Sequence, residues 1–394
     1  MTVRKFDIAI VGGGLAGGLI ALALRRARPD LAVVLIEAGE DLGGNHRWSW
    51  FASDLSPAGA ALLDGFRRSE WDSGYDVCFP GHSRYLSTPY RSLASADFDA
   101  GLRRELPPEA VRRAAVTTLS ERGVTLASGE ELAARAVIDC RGPIPAPQLK
   151  GGWQVFMGRH LHTDRPHGIE RPIIMDAKVV QPDGYRFVYV LPLGAQEVFV
   201  EDTYYQDSPR LDRRALSSRI DAFCAERGWQ GDLLTHETGV LPVITGGDFA
   251  AFQAAQRVSG VAVAGARGGF VHPLTSYTLP FAVDTALAIA ADADLPGAQL
   301  AAMLEGRARA HWRATKFYRR LGSMLFGAAV PEQRYRVFER FYRLPENLIE
   351  RFYAGRSTLS DQARILCGKP PVSIGGALAA LAGRRPAAPL EHAA

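Results

Sequence analysis

The stretch "FDIAIVGGGLAGGLIALALRRARPDLAVVLIEAGEDLGG", Phe6 to Gly44, decides the fold. Phe6 to Val11 is a short apolar run, the pattern of a parallel strand buried on both faces. Gly12, Gly14 and Gly17 then form G-x-G-x-x-G. Leu15 to Arg28 reads as a helix stopped near Pro29, and "LAVVLIE" as a second strand ending in Glu37. The first glycine permits a tight turn, the second lets a pyrophosphate approach the backbone, and the third lets helix pack on strand. The helix start offers unpaired N–H groups to phosphates. Glu37 can take a ribose hydroxyl pair. A lone G-x-G-x-x-G is weak; strand, turn, helix, strand and acid in that order predict a dinucleotide site. An acid closing the second strand suits a free 2′-hydroxyl, so FAD or NAD rather than NADP.

The glycine pair Gly43 and Gly44 follows soon after that acid. This arrangement resembles flavoproteins of the glutathione-reductase type, where the loop approaches FAD. At 394 residues the chain has room for two or three domains of ~100–200 residues. Its net charge of +4 permits an anionic surface without demanding one. Cys78, Cys140, Cys224 and Cys367 have no metal-ligand spacing and read as thiols, so no metal site is expected. No signal peptide precedes the first strand, and no apolar run reaches the ~20 residues of a membrane span.

The expected fold is mixed, α/β with α+β: a Rossmann-like FAD-binding domain split in sequence, an antiparallel-sheet substrate domain, and a helical C-terminal region. Residues 1–150 are read as the first part of the FAD-binding domain with inserted strands, ending in "AVIDCRG". Residues 151–255 carry four strand-like runs and a helix. Residues 256–300 return to the FAD-binding domain through a strand, a loop holding Gly265, Gly268 and Gly269, and a helix after Pro280. That helix start can point at a flavin or pyrophosphate. Arg267 can meet the pyrophosphate or a nearby carboxylate. Residues 301–380 form the basic aromatic helical region. Between His311 and Arg356 lie ten aromatics, ten Lys or Arg and four acids. Such a segment is either a packed cap with a solvated basic face or a surface resting on anionic lipid. No nucleic-acid-binding module is visible. Residues 381–394 read as a disordered tail.

"VFVEDTYY", Val198 to Tyr205, sets two acids in an apolar strand. Strand alternation sends Phe199, Glu201 and Thr203 to one face and Val200, Asp202 and Tyr204 to the other. One acid can thus line a cavity while the other does something else. Desolvation raises a carboxyl pKa and keeps its proton. Glu201 can equally be a structural acid paired with a base. Asp202 reads as structural, serving the turn that follows.

Together, "GGGLAG", "GGNHRWSW", "GYRFVYVLPL", "EVFVEDTYY", "GARGGFVHPLTSYTLP" and "LIERFYAG" resemble the motifs of bacterial lycopene β-cyclases, from about Asp7 to Gly355. The resemblance implies a fold similar to flavoprotein monooxygenases. It implies cyclisation of both ends of lycopene to β-carotene through γ-carotene, with reduced FAD required and NADPH as electron source, yet no net redox change. By position it puts the essential acid of the "EDT" motif on Glu201, with Asp202 beside it as the second catalytic candidate. The cofactor residues it implies are Gly12, Gly14, Gly17, Glu37, Gly44, Arg267, Gly268 and Gly269. Arg47 stands where the family often has Thr, and this is expected to alter surface chemistry more than mechanism. Trp153, Tyr185, Phe187 and Tyr204 are candidate cation-stabilising rings. His46 and His272 are either flavin-orienting or plain loop histidines. The implied partners are lycopene, other acyclic or monocyclic carotenes and a membrane lipid surface on the cytoplasmic side, with no nucleic acid and no obligate protein partner. Rival readings are an FAD-dependent monooxygenase or dehydrogenase, a non-catalytic carotenoid-binding flavoprotein, and an ε-cyclase.

Overall fold

The computed structural model describes residues 4–182, 184–368, 371–384 and 387–391. The first strand, Arg4–Val11, runs parallel to Val33–Glu37 on one side and to Glu131–Asp139 on the other. Val111–Arg113 extends this sheet beyond Val33–Glu37. Gly123–Leu126 and Val116–Ser120 close it antiparallel on the far side. Val261–Val263 returns late in the chain to lie parallel to Val137–Asp139. Apolar residues on both faces explain why these strands sit centrally: Ile8, Ala9, Ile10 and Val137 are fully buried. Helix Leu15–Ala27 packs on helix Leu279–Ala291 over one face.

The second sheet runs Gly231–Gly247, Ala146–Thr163, Glu197–Gln206, Tyr185–Pro192, Ile173–Asp176, Tyr75–Phe79, His82–Leu86. It is antiparallel except where Ile173–Asp176 runs parallel to Tyr75–Phe79. Its last two strands come from the first hundred residues. Their alternating burial, with Tyr75, Val77 and Phe79 inward, suits a half-covered sheet rather than the nucleotide layer. A three-stranded sheet of Arg47–Phe51, Tyr90–Ala94 and Ser69–Trp71 joins the two halves.

Helix Gly297–Ala314 packs on the first sheet, against Val261–Val263 and Glu131–Asp139, and the helices from Lys316 to Leu381 cover the second. Their aromatics are largely core: Tyr318, Tyr342, Phe352 and Tyr353 are buried. Arg319 is buried too, its guanidinium 3.6 Å from the Trp312 ring and bonded to Thr315 Oγ1 at 2.8 Å. The packed-cap reading describes most of this segment, because its rings lie on the helix faces turned to the sheet. Among the described residues no helix is long and apolar enough to cross a membrane. The expected disordered tail over 381–394 is corrected in part. Ala388–Leu390 pairs with Ala146, Lys150 and Gly151, because Leu390 finds an apolar niche beside Leu149 and Phe249. Residues 385–386 and 392–394 of that tail lie outside the described residues.

Candidate active site

The cleft above the first strand measures about 540 Å³ and is lined by Gly12, Gly14, Glu37, Gly44, Arg141 and Thr278, among others. Its floor is built by glycine. Gly12 sits at φ +100°, and a Cβ there would lie 2.7 Å from the Cys140 carbonyl. A Cβ on Gly17 would lie 1.9 Å from the Gly12 oxygen, so helix and turn meet only without side chains. Gly14, the N-cap of helix Leu15–Ala27, has nothing within 4 Å of its would-be Cβ and no side-chain cap. The first-turn N–H groups therefore face open space of the kind a pyrophosphate fills. Glu37 accepts from Gly13 N at 2.6 Å and Gly39 N at 2.7 Å, which holds its carboxylate at the cleft wall. A dinucleotide fits this cradle.

The late glycine loop is placed differently from expectation. Gly265 and Ala266 line the cleft, while Gly268 is buried behind them. Gly269, at φ +85°, faces Phe249 and Phe252 in a separate small apolar cavity that Arg267 also lines. Arg267 donates to the Arg141 carbonyl at 3.1 Å and stands 3.8 Å from Asp139. Spacing alone does not distinguish the rim of a turn from its back.

The acid lies on the other side of strand Arg47–Phe51. His46 and Trp48 line the cleft, whereas Arg47 turns to the carboxyls of Glu201 and Glu237. The loop after Val271 does the same. Thr278 lines the cleft, while the Tyr277 hydroxyl meets those of Tyr90 at 3.3 Å and Tyr189 at 3.4 Å. Ser276 holds this turn at φ +60°, a conformation rare outside glycine, with its hydroxyl on the Pro242 carbonyl at 2.9 Å.

Glu201 stands in register with Tyr189 on one neighbouring strand and with Gly158 on the other. Gly158 in turn pairs with Glu237 on the third strand. Residues opposite one another share a sheet face. Tyr189, Glu201 and Glu237 thus emerge on one face, the two carboxyls converging over a glycine within hydrogen-bonding reach. Thr203 Oγ1 donates to Glu201 Oε1 at 2.7 Å, which leaves Oε2 to carry a proton. Glu201 retains some accessible surface, but protein surrounds its carboxyl. Burial pushes its pKa up to about 7, against the hydrogen bonds from Thr203 and Glu237. Glu237, itself buried, is pushed well above the carboxylate range by burial and by Glu201.

Asp202 is on the opposite face and fully buried. Arg186 Nε lies 2.7 Å from its Oδ1, and the Tyr204 hydroxyl donates to Oδ2 at 3.0 Å. It does not approach the Glu201 face. Tyr204 belongs to that opposite face, and Trp153 to the cluster under the Ala388–Leu390 strand, so neither ring borders Glu201. Tyr185 and Phe187 stack on each other, 4.9 Å apart, with Phe187 edge-on to Tyr189. His272 is fully buried against Tyr318. Its Nδ1 accepts from Thr275 N at 3.2 Å, and burial lowers its pKa to about 3. It is a neutral loop histidine. Reading the sequence missed Glu237, Tyr189 and Tyr277. The one available signal was a lone acid in the alternating run "THETGVLPV".

Fold and cleft define a protein built on the flavin-dependent enzyme plan. A flavin-dependent brominase, Bmp2, superposes with a TM-score of 0.62 at 15% identity over 92% of this chain and 97% of that one. A geranylgeranyl bacteriochlorophyll reductase-like protein from Thermoplasma acidophilum gives 0.60 at 13% identity over 94% and 98%. At these identities the likeness establishes the fold alone. Within that plan, the chain belongs to the lycopene cyclase family, whose description, lycopene cyclase protein, matches residues 7–379. It is 44% identical to lycopene beta-cyclase of Pseudescherichia vulneris over 94% of this chain and 96% of that one. It is 42% identical to lycopene beta-cyclase of Paracoccus sp. over 95% and 97%.

Proposed function

We propose that this protein is a lycopene β-cyclase of carotenoid biosynthesis, closing both ends of lycopene by acid catalysis with no net redox change. The observation that carries the reading is Glu201: a carboxyl that keeps its proton near neutrality, facing tyrosine rings, one strand away from a dinucleotide cleft. A neutral hydrocarbon gives an enzyme no polar handle, so the pocket must be apolar and the acid must be neutral when the alkene arrives.

In this mechanism the Glu201 proton adds to the terminal double bond and leaves a tertiary cation. The internal double bond attacks that cation, and a proton lost from the ring cation completes the β ring. One proton enters and one leaves, so substrate and product have equal mass. Tyr90, Tyr189 and Tyr277 present rings and neutral hydroxyls, since burial pushes each phenol above its ordinary range. A desolvated ring face attracts a cation by ~2 kcal/mol. Gly12, Gly14 and Gly17 shape the cradle that would hold FAD, Glu37 would take its ribose, and Gly44 and Thr278 border it. Bound there in reduced form, FAD would supply negative charge close to the developing cation, with NADPH as the source of its electrons.

For the carotene we propose the apolar cavity of about 310 Å³ between the second sheet and the C-terminal helices. Its inner wall includes Tyr353, whose ring is 6.0 Å from that of Tyr277. Its rim exposes Leu366, Ile374, Leu378 and Leu381. Exposed apolar residues at a mouth of this kind suit lipid contact. We therefore assign membrane association to this rim, in place of the aromatic basic helices.

The test is anaerobic incubation with FAD, a reductant and lycopene in lipid, followed by chromatography and mass measurement of the pigments. A cyclised product of unchanged mass is expected from the parent and none from Glu201→Gln with parental flavin content. In a parallel aerobic incubation an added oxygen would identify a monooxygenase and lost hydrogens a dehydrogenase, and lycopene unaltered under both conditions would identify a carrier. An active Glu201→Gln would remove Glu201 as donor.

A further inference from the structure

We propose that Glu237 is a positioning residue for the cyclisation: a neutral carboxylic acid that hydrogen-bonds the Glu201 carboxylate left behind as the proton departs. This rests on the reading of Glu201 as donor.

The sheet register carries it. Glu201 and Glu237 are both opposite Gly158, on the strands flanking Ala146–Thr163, so their side chains leave the same face two strands apart. They can meet because residue 158 puts no side chain of its own between them. A Cβ on residue 158 would lie 3.2 Å from Glu237 Cγ and 2.3 Å from Phe199 Cζ. Buried carboxyls brought together over a glycine are expensive to place, and such an arrangement points to use rather than packing.

The surroundings favour a retained proton. Arg47 is the cation that both carboxyls feel, and Asp97 draws on the same charge. One guanidinium cannot balance three acids. His160 shares this sheet face but is tied to Glu197 at 3.0 Å, and burial, then Arg47, lowers its pKa. Asp202, across the sheet, is paired with Arg186 and adds repulsion to Glu201. Tyr90, Tyr189 and Tyr277 remain neutral phenols. Two acids in such a place titrate as a pair. Glu201 gives up its proton near neutrality, and Glu237, raised well above the carboxylate range by burial and by Glu201, is the one that keeps its own.

The step balances. The Glu201 O–H bond breaks with its electron pair staying on oxygen, and the alkene π pair forms the new C–H bond. Glu237 donates its O–H to the carboxylate so formed. The proton lost from the ring cation restores the Glu201 acid, and nothing is consumed. A hydrogen bond that stabilises the carboxylate makes Glu201 a stronger acid and lowers its pKa together.

That pairing gives the test. Cyclisation rate per bound flavin is measured from pH 6 to 9 for the parent, Glu237→Gln, Glu237→Leu and Glu201→Gln. Glu237→Leu removes the donor. Its maximal rate should fall roughly tenfold or more, while its alkaline limb moves up by roughly one pH unit. Glu237→Gln keeps an N–H donor and should recover most of the rate. Equal losses in both variants with an unmoved limb would overturn the proposal and leave Glu237 a packing residue. Activity in Glu201→Gln would instead overturn the donor reading beneath it. Should Glu237→Leu fail to fold, infrared spectroscopy decides. A protonated-carboxyl stretch present in the parent at pH 9 and absent from Glu237→Gln supports the neutral acid, and a parent without that band refutes it.

Discussion

Gly158→Ala is the smallest change that tests whether the acid pair needs its glycine. The added methyl carbon would lie 2.3 Å from Phe199 Cζ, 2.9 Å from Phe199 Cε2 and 3.2 Å from Glu237 Cγ. Carbon atoms ordinarily rest ~3.5–4.0 Å apart, so the overlap with the ring exceeds about 1 Å. Phe199 is buried and cannot swing into solvent. It must shift within the sheet, taking with it the surface under Arg47, whose guanidinium lies 5.2 Å from that ring. Overpacking of this kind costs about 1–3 kcal/mol. In a chain this long, that lowers the thermal midpoint by no more than several degrees. The kinetic loss should be larger. Displacing a reacting group by about 1 Å costs on the order of 100-fold. The assay pairs thermal unfolding of the flavin-loaded protein with rings formed per flavin. Parental turnover at a lowered midpoint would show that the space over residue 158 serves packing alone, and the carboxyl convergence would lose its meaning.

Two further outcomes follow from the same contacts. Asp202→Asn strips the charge from a fully buried partner of Arg186, which should cost about 3–5 kcal/mol of stability yet leave turnover per folded molecule near parental; turnover collapsing with stability intact would make Asp202 catalytic after all. Replacing Ile374 and Leu378, 66% and 62% exposed, by serine should weaken flotation with carotene-bearing vesicles by roughly 25-fold or more, at about 1.5–3 kcal/mol per fully buried side chain scaled to the area newly covered, while flavin content holds; unchanged flotation would move the lipid contact elsewhere.

The nucleotide half was legible because its determinants are local. A strand, three glycines, a helix and an acid fall within thirty-odd residues; Gly12 and Gly17 answer to contacts made nearby, and Gly14 keeps the cleft floor open. Strand alternation set Glu201 and Asp202 on opposite faces without tertiary information, and the resemblance to lycopene β-cyclases put the acid on Glu201. Glu237 was not legible. Its meeting with Glu201 depends on the register of Gly231–Gly247 against Ala146–Thr163, and nothing local to "THETG" reports which residue comes opposite Gly158. Arg47 was read as a surface matter because its strand is short. Only the pairing of Arg47–Phe51 with Tyr90–Ala94 turns it toward the acids. The helical segment left two readings open for a related reason. Composition counts rings and charges but does not say which face of a helix they occupy, and the sheet takes the rings.

What ties the cleft to the acid is a pair of thin partitions. Residues 46 to 48 alternate between them, and Tyr277 and Thr278 divide in the same way. Each partition is one backbone thick, the shortest separation a chain can offer between two environments. An acid that protonates an alkene must stay dry, whereas a dinucleotide's phosphates need polar N–H groups and an open mouth. One continuous pocket would wet the acid. Two distant pockets would put the negative charge of a reduced flavin too far away to help a cation, since Coulomb attraction falls with distance and rises as the dielectric falls. Back-to-back placement meets both demands. Its cost is visible where the partitions turn: left-handed Ser276, which at ~1–3 kcal/mol persists only because the Pro242 carbonyl and the neighbouring backbone hold it, and two buried carboxyls served by a single arginine. Strain and desolvation thus gather at the wall between the two sites, as they should if that wall is where the protein works.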